Sequence, residues 1–411
     1  MVPTDLCKAG FKAAAVLWLL SILAFFSPFH DSIAKGAALE NAPDKPAFSE
    51  EQVNFTDGQV ILEGTLFRPA TGTDYPAVVI LAGSDRSKRG PLRINLARQF
   101  AAHKIAALVY DSPGAGISMG RALIQTREDR VKEAISAVDY LRELRGIRST
   151  SVGLFGGSEG AGVALLASAK TSQVAFVIAV SGALGVSILD VLRYSAEKKG
   201  YMLGLTYDEI TKAITFKEIS FVFFSGVELV EWPLIEARTS QWNNDMWTTL
   251  IELAKRRTDY LPREQKHTML ESLRQIINRF KRQRWFNVVD PGGTIQHFIN
   301  LDSDRFFKLL EAGRYSRDWD RNVCDLSTIR CPVLAIWGEE DSFLPPQQSA
   351  LRLRKALSES HHPDYEIKIF PEATHFLTKP GSAAGFIPGY IDTMTVWLNR
   401  HIGSDNSAAP Y

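Results

Sequence analysis

The sequence predicts an α/β protein built on a mostly parallel central sheet flanked by helices, and three observations carry that expectation. Short apolar runs alternate with amphipathic helical stretches in two separate parts of the chain, the pattern that βαβ units produce. An antiparallel pair opens the series. A long interval without strand-like alternation divides it, and this reads as a helical insertion.

Composition sets the outer limits. The chain has 411 residues, 45% hydrophobic and 23% charged, with a formal net charge of +1. These values exclude a disordered, collagen-like or polytopic membrane protein. The length allows one large domain with an insertion, or two domains. With no basic excess to neutralise phosphates, nucleic acid is excluded as the main partner. Three cysteines cannot build a disulfide framework.

The chain opens with Lys8 and Lys12 ahead of an apolar run from Ala13 to Phe26, the length of a signal-peptide core and short for a membrane span. Pro28 breaks it, and Ser32-Ile33-Ala34 or Gly36-Ala37-Ala38 supplies small residues for cleavage. Residues 1–38 therefore read as an export signal or, uncleaved, as a membrane tether, which places the protein in the periplasm or outside the cell. Cys7 precedes the run and leaves with a cleaved signal. Cys324 and Cys331 are close enough to be bridged in an oxidising compartment, although Cys331 opens an apolar run where buried thiols are common. Residues 39–50, polar with two prolines, read as a linker, and 404–411 as a flexible tail.

Residues 51–189 and 321–403 carry the α/β core. Val53 and Phe55 alternate with polar neighbours, Asp57-Gly58 signals a hairpin turn, and Val60, Leu62 and Leu66 continue with period two. The buried-strand runs are Ala77–Ala82, Ile105–Tyr110, Ser151–Phe155, Val174–Val180, Pro332–Trp337 and Tyr365–Phe370. Between them Leu92, Leu96 and Phe100 share a helical face, as do Val131, Ile135, Val138 and Leu141, and a closing helix spans Ile387–Ile402. Residues 190–320 form the insertion. There Met269, Leu270, Leu273, Ile276, Ile277 and Phe280 follow helical spacing, with Arg279, Lys281, Arg282 and Arg284 where cations suit a helix C-terminus.

One constellation carries chemistry. The run ending at Phe155 leads into Gly156-Gly157-Ser158-Glu159-Gly160 and then a helix-compatible stretch, so Gly-x-Ser-x-Gly lies between a strand and a helix. That pattern seats a serine on a tight, strained turn, with glycines letting strand and helix approach. A serine nucleophile needs a base and a group to orient it. The run ending at Trp337 passes into Gly338-Glu339-Glu340-Asp341, and the run ending at Phe370 into Ala373-Thr374-His375, both at the carboxyl ends of strands where open α/β sheets build their sites.

In these three motifs, their order and their spacing, the chain resembles the α/β-hydrolase superfamily over roughly residues 52–190 and 320–402. The resemblance implies an α/β-hydrolase fold with Ser158 as nucleophile, His375 as general acid and base, and Asp341 as the orienting carboxylate. Glu340 also follows Gly338, and the superfamily spacing selects Asp341. Leu81–Arg86 and Tyr110–Ser118 look most like the dienelactone-hydrolase-like and acyl-thioester-hydrolase-like branches. The oxyanion hole would take the amides of Glu159 and Ser84, with Asp85 an alternative to Ser84. The superfamily inserts a cap over the active site where residues 190–320 stand.

The implied activity is an exported serine hydrolase that cleaves a small-molecule carboxylic ester through an acyl-enzyme. Acyl thioester or peptide hydrolysis fits the same machinery, and a non-catalytic ligand-binding protein retaining the fold is the reading of another class. Neither a cofactor nor a metal is expected, since no P-loop lysine pattern and no metal-ligand spacing occurs. Asp85, Arg86, Lys88 and Arg89 read as a solvated loop or as binders of an anionic substrate group. Asp111–Ser118 reads as a structural turn, and His361 and His362 as surface residues. Phe221, Phe223, Phe224, Trp232, Trp242 and Trp247 read as the insertion's own core rather than an acyl pocket. Oligomeric state has no sequence signal.

Overall fold

The computed structural model describes residues 47–84, 89–119, 125–225, 231–256, 261–315, 326–381 and 385–402. The segment read as signal or anchor, most of the linker, Asp85, Arg86, Lys88, Cys7, Cys324 and the tail lie outside the described residues. Among the described residues no helix is long and apolar enough to cross a membrane. The chain divides into two compact units. Among the described residues, one falls within His30–Ser187 and Arg321–Tyr411, and the other within Ile188–Asp320.

The first unit is built on an eight-stranded sheet. In chain order its strands and helices are β1 (Phe48–Asp57), β2 (Val60–Pro69), β3 (Tyr75–Leu81), α1 (Pro91–Ala102), β4 (Ala106–Tyr110), α2 (Arg127–Glu143), β5 (Ile147–Gly157), α3 (Glu159–Lys170) and β6 (Val177–Val180). The strands lie in the order β1-β2-β4-β3-β5-β6-β7-β8, where β7 is Val333–Gly338 and β8 is Tyr365–Phe370. β1, β2 and β4 pair antiparallel, and every pair from β4 through β8 is parallel. This is the mostly parallel sheet the alternating runs predict.

The opening hairpin turns at Gly58, whose φ of +57° suits a residue without Cβ. β1 begins at Phe48, inside the interval read as linker. Phe48 pairs with Pro69 and sets its ring edge-on to Phe67 at 6.1 Å, contacts that two nearby prolines did not suggest.

Two apolar layers cover the sheet. On one face Val79, Leu81, Leu108, Leu154, Ala335 and Trp337 pack with Val131, Val138 and Leu141 of α2, Ala161 and Leu165 of α3, and Leu353 of the helix at Pro346–Glu359. On the other, Val78, Ile80, Val109, Phe155, Ile178 and Ile336 pack with Leu96 and Phe100 of α1 and Met394, Trp397 and Leu398 of the helix at Tyr390–Ile402. Adjacent residues of one strand feed opposite layers, as the period of two requires. Burial on both faces is why the central runs are continuously apolar.

The second unit is helical through its described residues: α4 (Ile188–Met202), α5 (Tyr207–Ser225), α6 (Trp232–Ser240), α7 (Asp245–Lys255), α8 (Arg263–Phe280), α9 (Phe286–Val289), α10 (Thr294–Ile299) and α11 (Ser303–Tyr315). All six periodic residues of α8 are buried. The unit has its own core, in which the Phe216 ring meets Phe280, Trp285 and Phe286 at 5.5–5.8 Å. Phe223 and Trp247 belong to that core, Trp232 and Trp242 pack against it, and Phe221 is buried. The side chain of Phe224 lies outside the described residues. The helices are also joined by charge. Fully buried Glu218 of α5 accepts from Arg193 of α4 and Arg238 of α6, each at 2.6 Å.

In chain order the closing helices are α12 (Pro346–Glu359) and α13 (Tyr390–Ile402). The latter starts three residues later than Ile387, which is nevertheless buried.

Candidate active site

The turn between β5 and α3 holds Ser158 at φ +55° and ψ −122°, a left-handed conformation rare for a residue with a Cβ. Its N–H donates to the Val180 carbonyl at the end of β6, at 2.8 Å, and its carbonyl accepts from Ala161 at 3.1 Å. Both flanking glycines are sterically required. A Cβ on Gly156 would stand 2.0 Å from the Gly160 carbonyl oxygen, and one on Gly160 would stand 2.7 Å from the Ala82 carbonyl oxygen.

The second element follows β7. Asp341 is completely buried, and its Oδ1 accepts the amides of Phe343 and Leu344 at 2.7 and 2.9 Å. Its other oxygen, Oδ2, accepts from His375 Nδ1 at 2.7 Å. Glu340, the alternative carboxylate, is exposed, while its amide donates to the Ala373 carbonyl. The ring partner is Asp341.

The third element follows β8. His375 is 4% exposed and lies between Glu372 and Leu377, both in left-handed backbone conformations that make the loop tight. β7 and this loop approach so closely that a Cβ on Gly338 would stand 2.3 Å from the carbonyl oxygens of both Ala373 and Thr374. Ser181 Oγ donates to the His375 carbonyl at 2.8 Å, and the ring of Phe343 lies 5.2 Å from the imidazole.

The structure therefore joins Asp341 to His375 directly. It ties Ser158 and His375 to consecutive residues, Val180 and Ser181, at the end of β6. Ser84 is buried just past β3, and Glu159 is the first residue of α3. β3 and β5 are paired as far as Leu81 and Gly156, so these two segments leave the sheet side by side.

Two residues of this region carry no signature in the sequence. Ser181 anchors the histidine loop, and Arg130 of α2 donates from Nη2 to the Ala82 carbonyl and places Nη1 3.0 Å from the Glu159 carboxylate. Next to Arg130, Glu133 accepts from Gln125 at 2.7 Å, and burial raises its carboxyl above the ordinary range despite that bond. Burial and the Glu133 charge together push the Tyr110 hydroxyl well up.

The structure departs from the sequence expectation at Arg89 and at His362. Arg89 is half-buried and held by protein groups: its amide and Nε donate to Asp111 Oδ1 at 2.6 and 3.2 Å, and its Nη1 reaches Thr65 at 2.7 Å. The Asp111–Ser118 segment is a turn closed by Ser118 Oγ donating to the Asp111 carbonyl, and Gly116 leaves no space for a Cβ beside the Asp111 carboxylate. His362 is buried rather than on the surface. Its Nδ1 accepts from the Asp364 amide and its Nε2 lies 3.1 Å from the Cys331 carbonyl, an acceptor from a distant part of the chain, while His361 beside it is exposed. Cys331 is a free thiol, which burial raises to about 11.

Residues 78–381 match the family described as "Alpha/beta hydrolase family". The "Quorum-quenching protein AidA" of Acinetobacter baumannii is 30% identical over 145 residues, which is 35% of this chain and 46% of that protein, so the chain spans about half the length of this relative. Among solved structures, hypothetical protein PA2218 from Pseudomonas aeruginosa is 14% identical at a TM-score of 0.48, over 90% of this chain and 99% of the other. The Pyrococcus furiosus esterase Pf2001 is 14% identical at a TM-score of 0.45, over 90% and 95%.

Proposed function

Because this chain belongs to the alpha/beta hydrolase family and is a hydrolase of that fold, we propose that it cleaves a carboxylic ester through a covalent acyl-enzyme formed on Ser158. The observation that supports this most is the buried 2.7 Å bond between His375 and Asp341. With Nδ1 donating to the carboxylate, the imidazole keeps Nε2 as its acceptor, the tautomer a serine hydroxyl requires.

In this mechanism Ser158 Oγ attacks the carbonyl carbon while its proton passes to His375 Nε2. The amides of Glu159 and Ser84 hold the oxyanion of the tetrahedral intermediate. Collapse breaks the bond to the alcohol, which leaves with the proton from His375. Water then attacks the acyl-enzyme by the same route, giving the acid and restoring Ser158. Asp341 stabilises the imidazolium in both halves. The substrate is a small molecule, and thioesters, peptides and small signalling esters belong beside simple esters in the trial set, the last because one relative is named for quorum quenching. Export of the protein remains part of the proposal on the strength of residues 1–38.

The test is covalent labelling of the purified protein by a fluorophosphonate, read by intact mass and peptide mapping. The expected result is one adduct on Ser158 that is absent in Ser158→Ala and strongly slowed in His375→Ala. A folded protein that takes no adduct would instead favour the ligand-binding reading.

A further inference from the structure

The two amides assigned to the oxyanion belong to segments that leave the sheet after β3 and after β5, beyond their last paired residues. One side chain reaches both. Arg130, in the first turn of α2, is 4% exposed; its Nη2 donates to the carbonyl of Ala82, two residues before Ser84. Its Nη1 lies 3.0 Å from Oε2 of Glu159, the residue that follows Ser158. The Ala82 oxygen also meets α3 at Gly160, so it is gripped between that helix and the guanidinium. Glu133, one turn along α2, takes a hydrogen bond from Gln125 and also feels the Arg130 charge, while the Arg130 Nη1 forms an ion pair with Glu159.

We propose that Arg130 is a positioning residue that sets the spacing between the Ser84 and Glu159 amides. The inference rests on the serine-hydrolase reading given above. Oxyanion donors act only when both stand about 2.7–3.1 Å from the oxygen that gains charge. The ladder between β3 and β5 has ended before either donor, so another constraint must hold the two segments in register. A guanidinium supplies it, because its rigid planar fork reaches a carbonyl by hydrogen bond and a carboxylate by charge at once, while a lysine ammonium on a flexible stem holds a single point.

The experiment compares Arg130→Met, Arg130→Lys, Glu159→Gln and the double variant Arg130→Met/Glu159→Gln with the full chain, with Ser158→Ala alongside. Hydrolysis of p-nitrophenyl butyrate gives kcat and KM separately, fluorophosphonate labelling gives a second rate that uses the same donors, and thermal melting checks folding. A displacement of about 1 Å at a reacting centre costs on the order of 100-fold, so both Arg130 variants should lose about 10- to 100-fold in kcat with KM within about twofold. Labelling should slow in parallel, and the double variant should be no slower than Arg130→Met alone. A folded Arg130→Lys with wild-type kcat, a change confined to KM, or multiplied losses in the double variant would overturn the positioning role while leaving the serine reading intact. If Arg130→Met does not fold, Arg130→Lys and Glu159→Gln decide the matter by the same criteria. Activity that survives in Ser158→Ala, or a wild-type protein inert to both reagents, overturns the serine reading and the positioning role with it.

Discussion

The hydroxyl of Ser181 donates to the backbone carbonyl of His375 at 2.8 Å, across 194 positions of sequence. Ser181 is 1% exposed, and its own backbone lies in the left-handed region at φ +48°. The residue before it, Val180, accepts the amide of Ser158. The end of β6 is thus the common anchor of the serine turn and the histidine loop.

Removing that anchor should cost both stability and rate. Ser181→Ala leaves the His375 carbonyl without its donor, a loss of about 1–3 kcal/mol for a buried acceptor. Ser181→Gly loses the same bond but relieves the backbone, so it should be the more stable of the two. Denaturant melts rank the pair, and an equal fall in kcat for both would tie the rate to the hydroxyl.

Asp341→Asn should be nearly inactive while remaining folded. An asparagine can still accept the Phe343 and Leu344 amides through one oxygen, but the group facing His375 Nδ1 is no longer an acceptor-only carboxylate. The imidazole then turns to the wrong tautomer, a change worth about 10⁴-fold in kcat in Ser-His-Asp hydrolases. Ester kinetics with a circular dichroism control measure it.

Two glycines only two positions apart in α3 should respond with opposite sign. Gly160→Ala drives a Cβ to 2.7 Å from the Ala82 carbonyl oxygen and should destabilise by about 1–3 kcal/mol, as overpacking does. Gly162 has nothing within 4 Å of its missing Cβ, so Gly162→Ala should stabilise by about 0.5–1 kcal/mol through helix propensity. Thermal melting of the two variants is sufficient.

Glu133 should make stability depend on pH. Its folded carboxyl is raised by burial, so the stabilisation linked to its bound proton is complete below the ordinary glutamate range and is lost as pH rises through the raised value. Glu133→Gln removes that loss. Urea melts at pH 5 and pH 8 should show the variant gaining on the wild type at the higher pH, and an unchanged difference would contradict the assignment.

Residues whose placement is written in their local pattern were legible before the structure. Ser158 is marked by glycines that the strand–helix approach demands, and Asp341 and His375 by standing just past apolar runs that become β7 and β8. The β-sheet itself followed from alternation and run length. Residues defined by distant neighbours left no trace. Ser181 and Arg130 acquire their partners only when β6 meets the histidine loop and α2 meets the turn after β3. His362 was misread because two adjacent histidines before a strand look solvated, and the carbonyl that receives one of them belongs to a residue 31 positions earlier. Arg89 was misread for the same reason, since Asp111 lies in a different loop.

The backbone at position 158 has a consequence for anyone evolving this protein in the laboratory. A conformation of φ +55° costs a residue with a Cβ on the order of 1–3 kcal/mol, and glycine escapes most of it. Ser158→Gly should therefore melt at a higher temperature than the parent. A campaign that ranks variants by heat resistance alone would enrich that substitution early and collect robust proteins without the hydroxyl on which the proposed chemistry depends, so every round needs an activity gate beside the thermal one.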